Sequence, residues 1–424
     1  YATREVPVAG RTQVNLTMGE DLTTLQELVV VGYGVQRKSD LTGSVGTVKS
    51  KDIERVPTSS IEQAMQGKVA GVYVTPASGQ PGAGAVIRIR GTGTLNNSNP
   101  LFVVDGMLLD DASFINPQDV QSIEILKDAS ATAIYGNRGA NGVVIITTKR
   151  GKAGEKAVIQ FSSYYGTQAL TRKIPMANAA EYAQLYNELP LPDVFANPAS
   201  LGAGTDWQDV VFRDAPIANV QLSASGGSDK FLYNVSANYF DQTGILKDSR
   251  YDRLTFRVNN EYKLNPYVKL GNNLSFSNVN SQNPPGVIGS ALRMPPVFGE
   301  RDSLGNFSDP TFFGTAIANP AADLFYKDRN FSKGNRLVGT VYADITLFKH
   351  FTFRSNFGLD QAYINTKNYE PKFDVSISQR NGEDRLSVGS VQRRTWLWEN
   401  TLTYDQTWEN HRVNVLAGYT SQEF

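Results

Sequence analysis

Two histidines, His350 and His411, and no cysteine occur among the 424 residues, which leaves little material for nucleophilic or metal chemistry. Both histidines stand beside turn sequences, FKH and WENH, where an imidazole without a partner is a solvated side chain rather than a ligand or base. Without cysteine there is no thiolate metal site, disulfide or Cys nucleophile. The acids of VVDGMLLDD (Asp105, Asp110, Asp111) lack the spacing and the closing Glu of a calcium loop. The glycines of GQPGAGAVIRIRG precede a strand rather than a helix, and no Gly-Lys-Ser/Thr follows, so they do not read as a phosphate loop. What remains is hydrogen bonding. Thr94, Asn96, Asn97, Ser98 and Asn99 in TGTLNNSNP gather short hydroxyls and amides, able to hold a polar ligand or to satisfy their own turn. In LQELVVVGYG the run Val29, Val30, Val31 reads as a short strand fenced by Glu27 and by Gly32-Tyr33-Gly34. Its flanks, MGEDLTT and GVQRKSD, read as solvated linker, so this strand has no evident neighbour in its own sequence.

Composition excludes several classes. Lys+Arg is 41 and Asp+Glu is 41, so there is no positive field to hold nucleic acid. No run of about 18 apolar residues offers a transmembrane helix. The start, YATREVPVAG, has no charged segment followed by an apolar one, so a signal peptide was removed or never included. Nothing points to a cofactor or a metal, and no acid or base constellation marks an enzyme.

The texture of the chain changes along its length. Within residues 1–20, Val14, Leu16 and Met18 alternate with Gln13, Asn15 and Thr17 as one half-buried strand, which cannot bury its face alone and reads as the end of a small β domain. Residues 21–35 read as a linker carrying the valine strand. Residues 36–152 read as an α+β unit. Ser60 with Gln63 forms a capping-box pattern before a helix that stops at Gly67, and Asn116 with Pro117 opens another turn. AVIRIRG, LFVVDG, SIEILKD and GVVIITTKR supply its strands.

From residue 153 to 424 the pattern is long strands with a two-residue period. In YDRLTFRVNNEYKL, Leu254, Phe256, Val258 and Tyr262 share one face, while Arg253, Thr255, Arg257, Asn259, Glu261 and Lys263 share the other. Short turns (226–229, 264–267, 348–350, 408–411) alternate with long loops (172–213, 281–333, 367–388), and aromatics (Tyr164, Tyr165, Tyr239, Phe240, Trp396, Trp398, Tyr404, Trp408) sit near strand ends. These features predict an all-β transmembrane barrel with a lipid-facing exterior, a wet lumen and interfacial girdles. About nine strands can be counted, whereas single-chain bacterial barrels close with an even number. The reading is therefore part of a larger barrel.

LKDASATAIYGNRGANGVVIITTKRG, together with LQELVVVGYG, AMQGKVAGVYV, IRIRGTGTL and PLFVVDGML, resembles the plug and its approach in the SusC/RagA family of TonB-dependent outer-membrane importers. The likeness runs from about residue 25 to 280, and residues 1–20 resemble the end of the carboxypeptidase-regulatory-like domain that precedes the plug in that family. The family's barrel has 22 strands, so this chain departs from it in carrying fewer. The resemblance implies a plug of residues 36–152 inside the lumen and a location in the outer membrane of a Gram-negative bacterium. It also implies that Glu27, Leu28, Val29, Val30 and Val31 form the TonB box, a strand added to the periplasmic domain of TonB. A SusD-like surface lipoprotein lid and an oligosaccharide or oligopeptide cargo are implied as well, and the family admits a dimer of such pairs. In that setting Thr94, Asn96, Asn97, Ser98 and Asn99 would meet the cargo from below. Arg88 and Arg90 would latch the plug to lumen carboxylates, or else lie on an ordinary solvated strand face. A passive porin or an adhesin would need neither the valine strand nor a full plug. A barrel enzyme would need a base or paired acids that this sequence lacks.

Overall fold

In the computed structural model, residues 28–31, 34–37, 44–94, 96–314, 317–327, 330–409 and 411–424 are described. Glu27 and the segment 1–20 lie outside these residues, so the expectations placed on them have no structural counterpart. The chain begins its described course with β1 (Leu28–Val31) and β2 (Gly34–Arg37), an antiparallel pair. The GVQR segment is thus a strand where the sequence reads as solvated linker, because the valine run finds its neighbour a few residues downstream.

The next unit is built on β3 (Val45–Lys49), β6 (Leu101–Val104), β7 (Met107–Leu109), β8 (Val120–Leu126) and β9 (Val143–Thr148), in the order β3-β8-β9-β6-β7. β4 (Val72–Pro76) and β5 (Ala85–Ile89) form a separate hairpin beside it. The central strand β9 is apolar on both faces, and all of Val143 to Ile146 is buried, which is the pattern of a strand covered on both sides. One face packs Ile123, Ile125, Val144 and Ile146 against Ile53, Ile61 and Met65. The other gathers Leu101, Val103, Leu126, Val143 and Ile145. The caps expected from sequence form: Ser60 accepts from the Gln63 amide at 3.2 Å, and Asn116 accepts from the Gln118 amide at 3.3 Å at the head of a short 3-10 turn. The Gln63 side chain does not complete a capping box; it accepts from Thr58 and donates to the Ala83 carbonyl.

The remaining chain is one nine-stranded antiparallel meander: β10 (Val158–Gln168), β11 (Ala215–Gly227), β12 (Phe231–Thr243), β13 (Arg250–Lys263), β14 (Val268–Gln282), β15 (Phe331–Leu347), β16 (Phe351–Glu370), β19 (Arg385–Trp408) and β20 (His411–Glu423). A small hairpin, β17 (Phe373–Asp374) with β18 (Arg380–Asn381), sits in the last long connection. The strands run from 11 to 24 residues, where about 9–11 suffice to cross a bilayer. Their burial is inverted relative to a water-soluble sheet. On β13, Arg253, Thr255, Arg257 and Asn259 are at most 3% exposed, while Phe256 and Tyr262 are 46% and 44% exposed. Such a wall faces hydrocarbon outside and polar contents inside. Among the described residues no helix is long and apolar enough to cross a membrane. Trp398, Trp408, Tyr239 and Tyr165 are exposed as girdle residues should be, but Phe240 is buried and Tyr164 packs beside it on the inner face. The pleat assigns these two to the lumen, since each is next in sequence to an outward-facing tyrosine.

The plug and the wall share a core: Val338 of β15 and Leu397 of β19 belong to the same apolar cluster as the plug's Ile123 and Met107. Gly358 of β16 permits this approach, since a Cβ there would stand 2.5 Å from the Met107 sulfur.

β10 and β20 each have one edge without a partner among the described residues, and unpaired backbone groups at membrane depth cost several kcal/mol each. The 424 residues expressed alone should therefore give no heat-modifiable, protease-resistant monomer in detergent micelles. A gel run with and without boiling checks this; a folded band of the 424-residue species would contradict it.

Candidate functional site at the junction of plug and wall

The chemistry-bearing groups of the molecule meet where the plug touches the lumen face. The β6–β7 turn carries Asp105 and Gly106 at φ 46° and 90°. Two successive positive φ values make a type I′ turn, for which Asp-Gly is a preferred pair. That turn puts the Asp105 carboxylate, 2% exposed, against Arg257 of β13, 4% exposed. Asp105 also accepts from the Thr148 amide at 3.1 Å and from its hydroxyl at 2.7 Å. Asn259 donates to Thr148 Oγ1 at 2.9 Å and to the Lys149 carbonyl at 2.8 Å. The charge is therefore buried, paired and hydrogen-bonded, the condition under which a buried ion pair holds.

Three further ties run along the wall. Gln221 of β11 donates to Asp119 at 3.0 Å and accepts from Asn116 at 2.6 Å. Burial pushes the Asp119 carboxyl up, against the opposing pull of Arg257, Ser236, Lys149 and Arg253. Arg253 donates to the Ser113 carbonyl at 2.6 Å. Arg336 of β15 holds Asp111 through Nη1, at 2.9 and 3.0 Å, and Asp360 of β16 through Nε and Nη2, at 2.9 and 2.8 Å. Its guanidinium also lies 4.7 Å from the centre of the Phe114 ring, a cation–π contact. Burial works to raise the Asp111 carboxyl, but Arg336 and the Ser113 hydrogen bonds outweigh it and hold it below the usual carboxylate value. With a depressed pKa the tie is present above the ordinary carboxylate range and is lost only as pH falls through the lowered value.

Above these ties, at the end of the barrel that bears the long connections, a cavity of about 360 Å³ opens between plug and wall. Asp110, Asp111 and Phe114 line it from the plug, and Arg336, Asp360 and Arg393 from the wall. It is a charged chamber of the size of a small-ligand site.

The residues singled out by sequence lie elsewhere. Arg88 donates to Asn99 Oδ1 at 2.9 Å and to the Ile87 carbonyl at 2.8 Å, and Arg90 pairs with Asp128. Both bind partners within the plug, so they do not latch it to lumen carboxylates. The polarity of the latch is the reverse of that expectation: wall arginines reach plug carboxylates, because the lumen face of β13 and β15 carries the arginines and the plug's loops carry the acids. Thr94 and Asn97 spend their side chains on the amides of Asn96 and Asn99, at 3.1 and 3.0 Å. Ser98 is buried, and Asn141 holds the Asn97 carbonyl at 2.9 Å. Among the described residues of 94–99, none lines the cavity. Of the strand residues 28–31, all pair with β2, and β1 passes within 8 Å, Cα to Cα, of the plug's central strand β9.

Comparison with known proteins agrees with this anatomy. The chain matches the TonB-dependent Receptor Plug Domain over residues 37–143. It is 36% identical, over its whole length, to TonB-dependent receptor P26 of Formosa agariphila, covering 44% of that protein. It is also 36% identical over 81% of its length to SusC of Bacteroides thetaiotaomicron, covering 37% of it. The chain is SusC/RagA-like, with the plug of a TonB-dependent receptor. A solved RagAB peptide importer in its open-open state superposes with TM-score 0.80 at 27% identity, over 94% of this chain and 50% of that one. The chain thus spans about half the length, or less, of these relatives.

Within the family framework, the junction residues Asp105, Asp111, Arg257 and Arg336 are the ones that sequence reasoning did not assign. The signal was partly available: the strand period puts Arg253 and Arg257 on the lumen face, and Asp105-Gly106 is a hairpin turn sequence. Only the fold reveals that these two meet.

Replacing Asp105 by Ala should leave Arg257 buried and unpaired, at a cost of about 3–5 kcal/mol. The expected readout is faster hydrogen exchange and proteolysis across residues 101–150, with the barrel strands unchanged. Replacing both Asp105 and Arg257 by apolar residues should restore much of the protection, and Arg88→Ala should not loosen the plug from the wall. Equal loss in the double and single variants would show that the pair is not the latch.

Proposed function

We propose that this chain supplies the plug, the traction strand and nine wall strands of a TonB-dependent importer in the outer membrane of a Gram-negative bacterium. The observation that carries the reading is a polar-lined transmembrane wall whose lumen is occupied by a plug tied to it through a buried charge pair, a second ion pair and hydrogen bonds, with a short strand beside the plug's central strand. A wide barrel filled in this way offers no passive route. Opening it needs work delivered to the plug, and Glu27 to Val31 are the residues on which TonB would pull. Added as an edge strand, such a segment is held by backbone hydrogen bonds. No step requires covalent chemistry.

The cargo is a polar oligomer, an oligosaccharide or an oligopeptide, and the chamber lined by Asp110, Phe114 and Arg393 is where its leading end would rest on the plug. A SusD-like surface lipoprotein is the lid. Two features support this partner. The connections 169–214 and 283–330 far exceed the usual four to six or so residues, and loops of that length are usually functional. They also present exposed apolar side chains, among them Met176, Leu185, Leu189 and Phe312, on an ordered scaffold that includes a fully capped helix (Ala179–Asn187) and an aromatic cluster around Phe313. SusC and the RagAB importer are the relatives that favour these proposals.

Val30→Pro in the full-length transporter tests the central claim. Proline removes a backbone donor and fixes φ. The variant should reach the outer membrane, bind cargo and lid, fail to bind the periplasmic domain of TonB and fail to support growth on the cargo. Normal growth would make the strand a mere linker and leave a passive pore as the better reading. Crosslinks from the lipoprotein should fall in 169–214 and 283–330; crosslinks confined to the short turns at 228–230, 264–267 and 348–350 would refute the lid.

A further inference from the structure

The strand Leu28–Val31 is already half of a sheet. Leu28 stands opposite Arg37, Val29 opposite Gln36, Val30 opposite Val35 and Val31 opposite Gly34. Only two residues separate the last pair in sequence. In a hairpin closed by two residues, the flanking pair exchanges both of its N–H···O bonds, and bonded and non-bonded pairs alternate from there. Val31 with Gly34 and Val29 with Gln36 are then the bonded pairs. The backbone groups of Leu28 and Val30 turn to the opposite edge. This two-stranded sheet has no third member among the described residues, so that edge is open.

We propose that the partner strand of TonB adds to the open edge of β1, completing a three-stranded sheet with β2 as its far member, and does not displace β2. The proposal rests on the reading of Leu28 to Val31 as the TonB-engaging strand and specifies which backbone groups it offers: the N–H and C=O of Leu28 and Val30. Two physical reasons favour addition over exchange. Exchange would break the two bonded pairs before making new ones, whereas addition breaks none. The hairpin also holds β1 extended in advance, so part of the ordering entropy is met before the partner arrives. β2 is therefore a pre-organising element of the interaction site, a role that neither the valine run nor the plug match assigns to GVQR.

The sign of one measurement decides between the arrangements. Full-length transporter in detergent is titrated with the purified periplasmic domain of TonB. Gln36→Pro removes the β2 donor that faces β1 and should weaken binding by about tenfold, the reduction expected when the competent extended state becomes a minor population. Val35→Pro, whose missing donor faces away from β1, is tolerated at a sheet edge and should bind as the parent does. Tighter binding by Gln36→Pro would mean that β2 competes with TonB for the same edge, and unchanged binding would mean that the hairpin plays no part; either result overturns the proposal. Failure of the parent transporter to bind the domain at all would instead overturn the reading of residues 28–31 as the TonB strand, and this proposal with it.

Discussion

A sheet that stands in hydrocarbon must satisfy every backbone N–H and C=O within itself, and the lumen it encloses must then be filled or watered. The wall and the seating of its plug follow from that constraint. The antiparallel ladder from β10 to β20 meets the backbone requirement strand by strand. The two-residue pleat then forces apolar side chains outward and leaves arginines, asparagines and serines facing in. Burying such groups is costly without partners, and the plug supplies several of them: a hairpin turn for Arg257, a carbonyl for Arg253, a carboxylate for Arg336 and another for Gln221.

The plug is held in a way that suits removal. Its apolar contact with the wall includes Val338 and Leu397, and its polar ties are several, separate and directional. Dry apolar packing would resist separation over its whole area. Hydrogen-bonded ion pairs lining a wet lumen lose their protein partners one at a time and regain water as they do so. The pairs also share elements: the β6–β7 hairpin carries Asp105 at its turn and leads directly to Asp110 and Asp111 at the cavity. Events in the chamber and the firmness of the latch are thus carried by one short piece of backbone.

The aromatic loop scaffold has a different physical basis. The capping box of Asn178 and Glu181, with both reciprocal bonds at 2.9 Å, starts a helix whose Tyr182 and Tyr186 pack on Phe313 of the other long connection. Trp207, Val211, Val287 and Ala322 make a second small core beneath them. The described parts of these loops bring their own apolar cluster, independent of the wall.

The amino-acid sequence by itself determined the wall: strand period, strand ends, the alternation of short and long connections and the count of nine are all local properties of a pleated chain, legible wherever polar and apolar residues alternate. It also determined the caps at Ser60 and Asn116, which depend on residues three or fewer apart. Only the tertiary structure decided the site. Arg257 meets Asp105 across 152 positions and Arg336 meets Asp111 across 225, distances over which sequence gives polarity but no partner. For the same reason sequence left Arg88 and Arg90 open between lumen carboxylates and a solvated strand face, while their partners lie within the plug. The valine strand followed the opposite course: its neighbour was five residues away, in a segment too polar to read as a strand until pairing with β1 made it one.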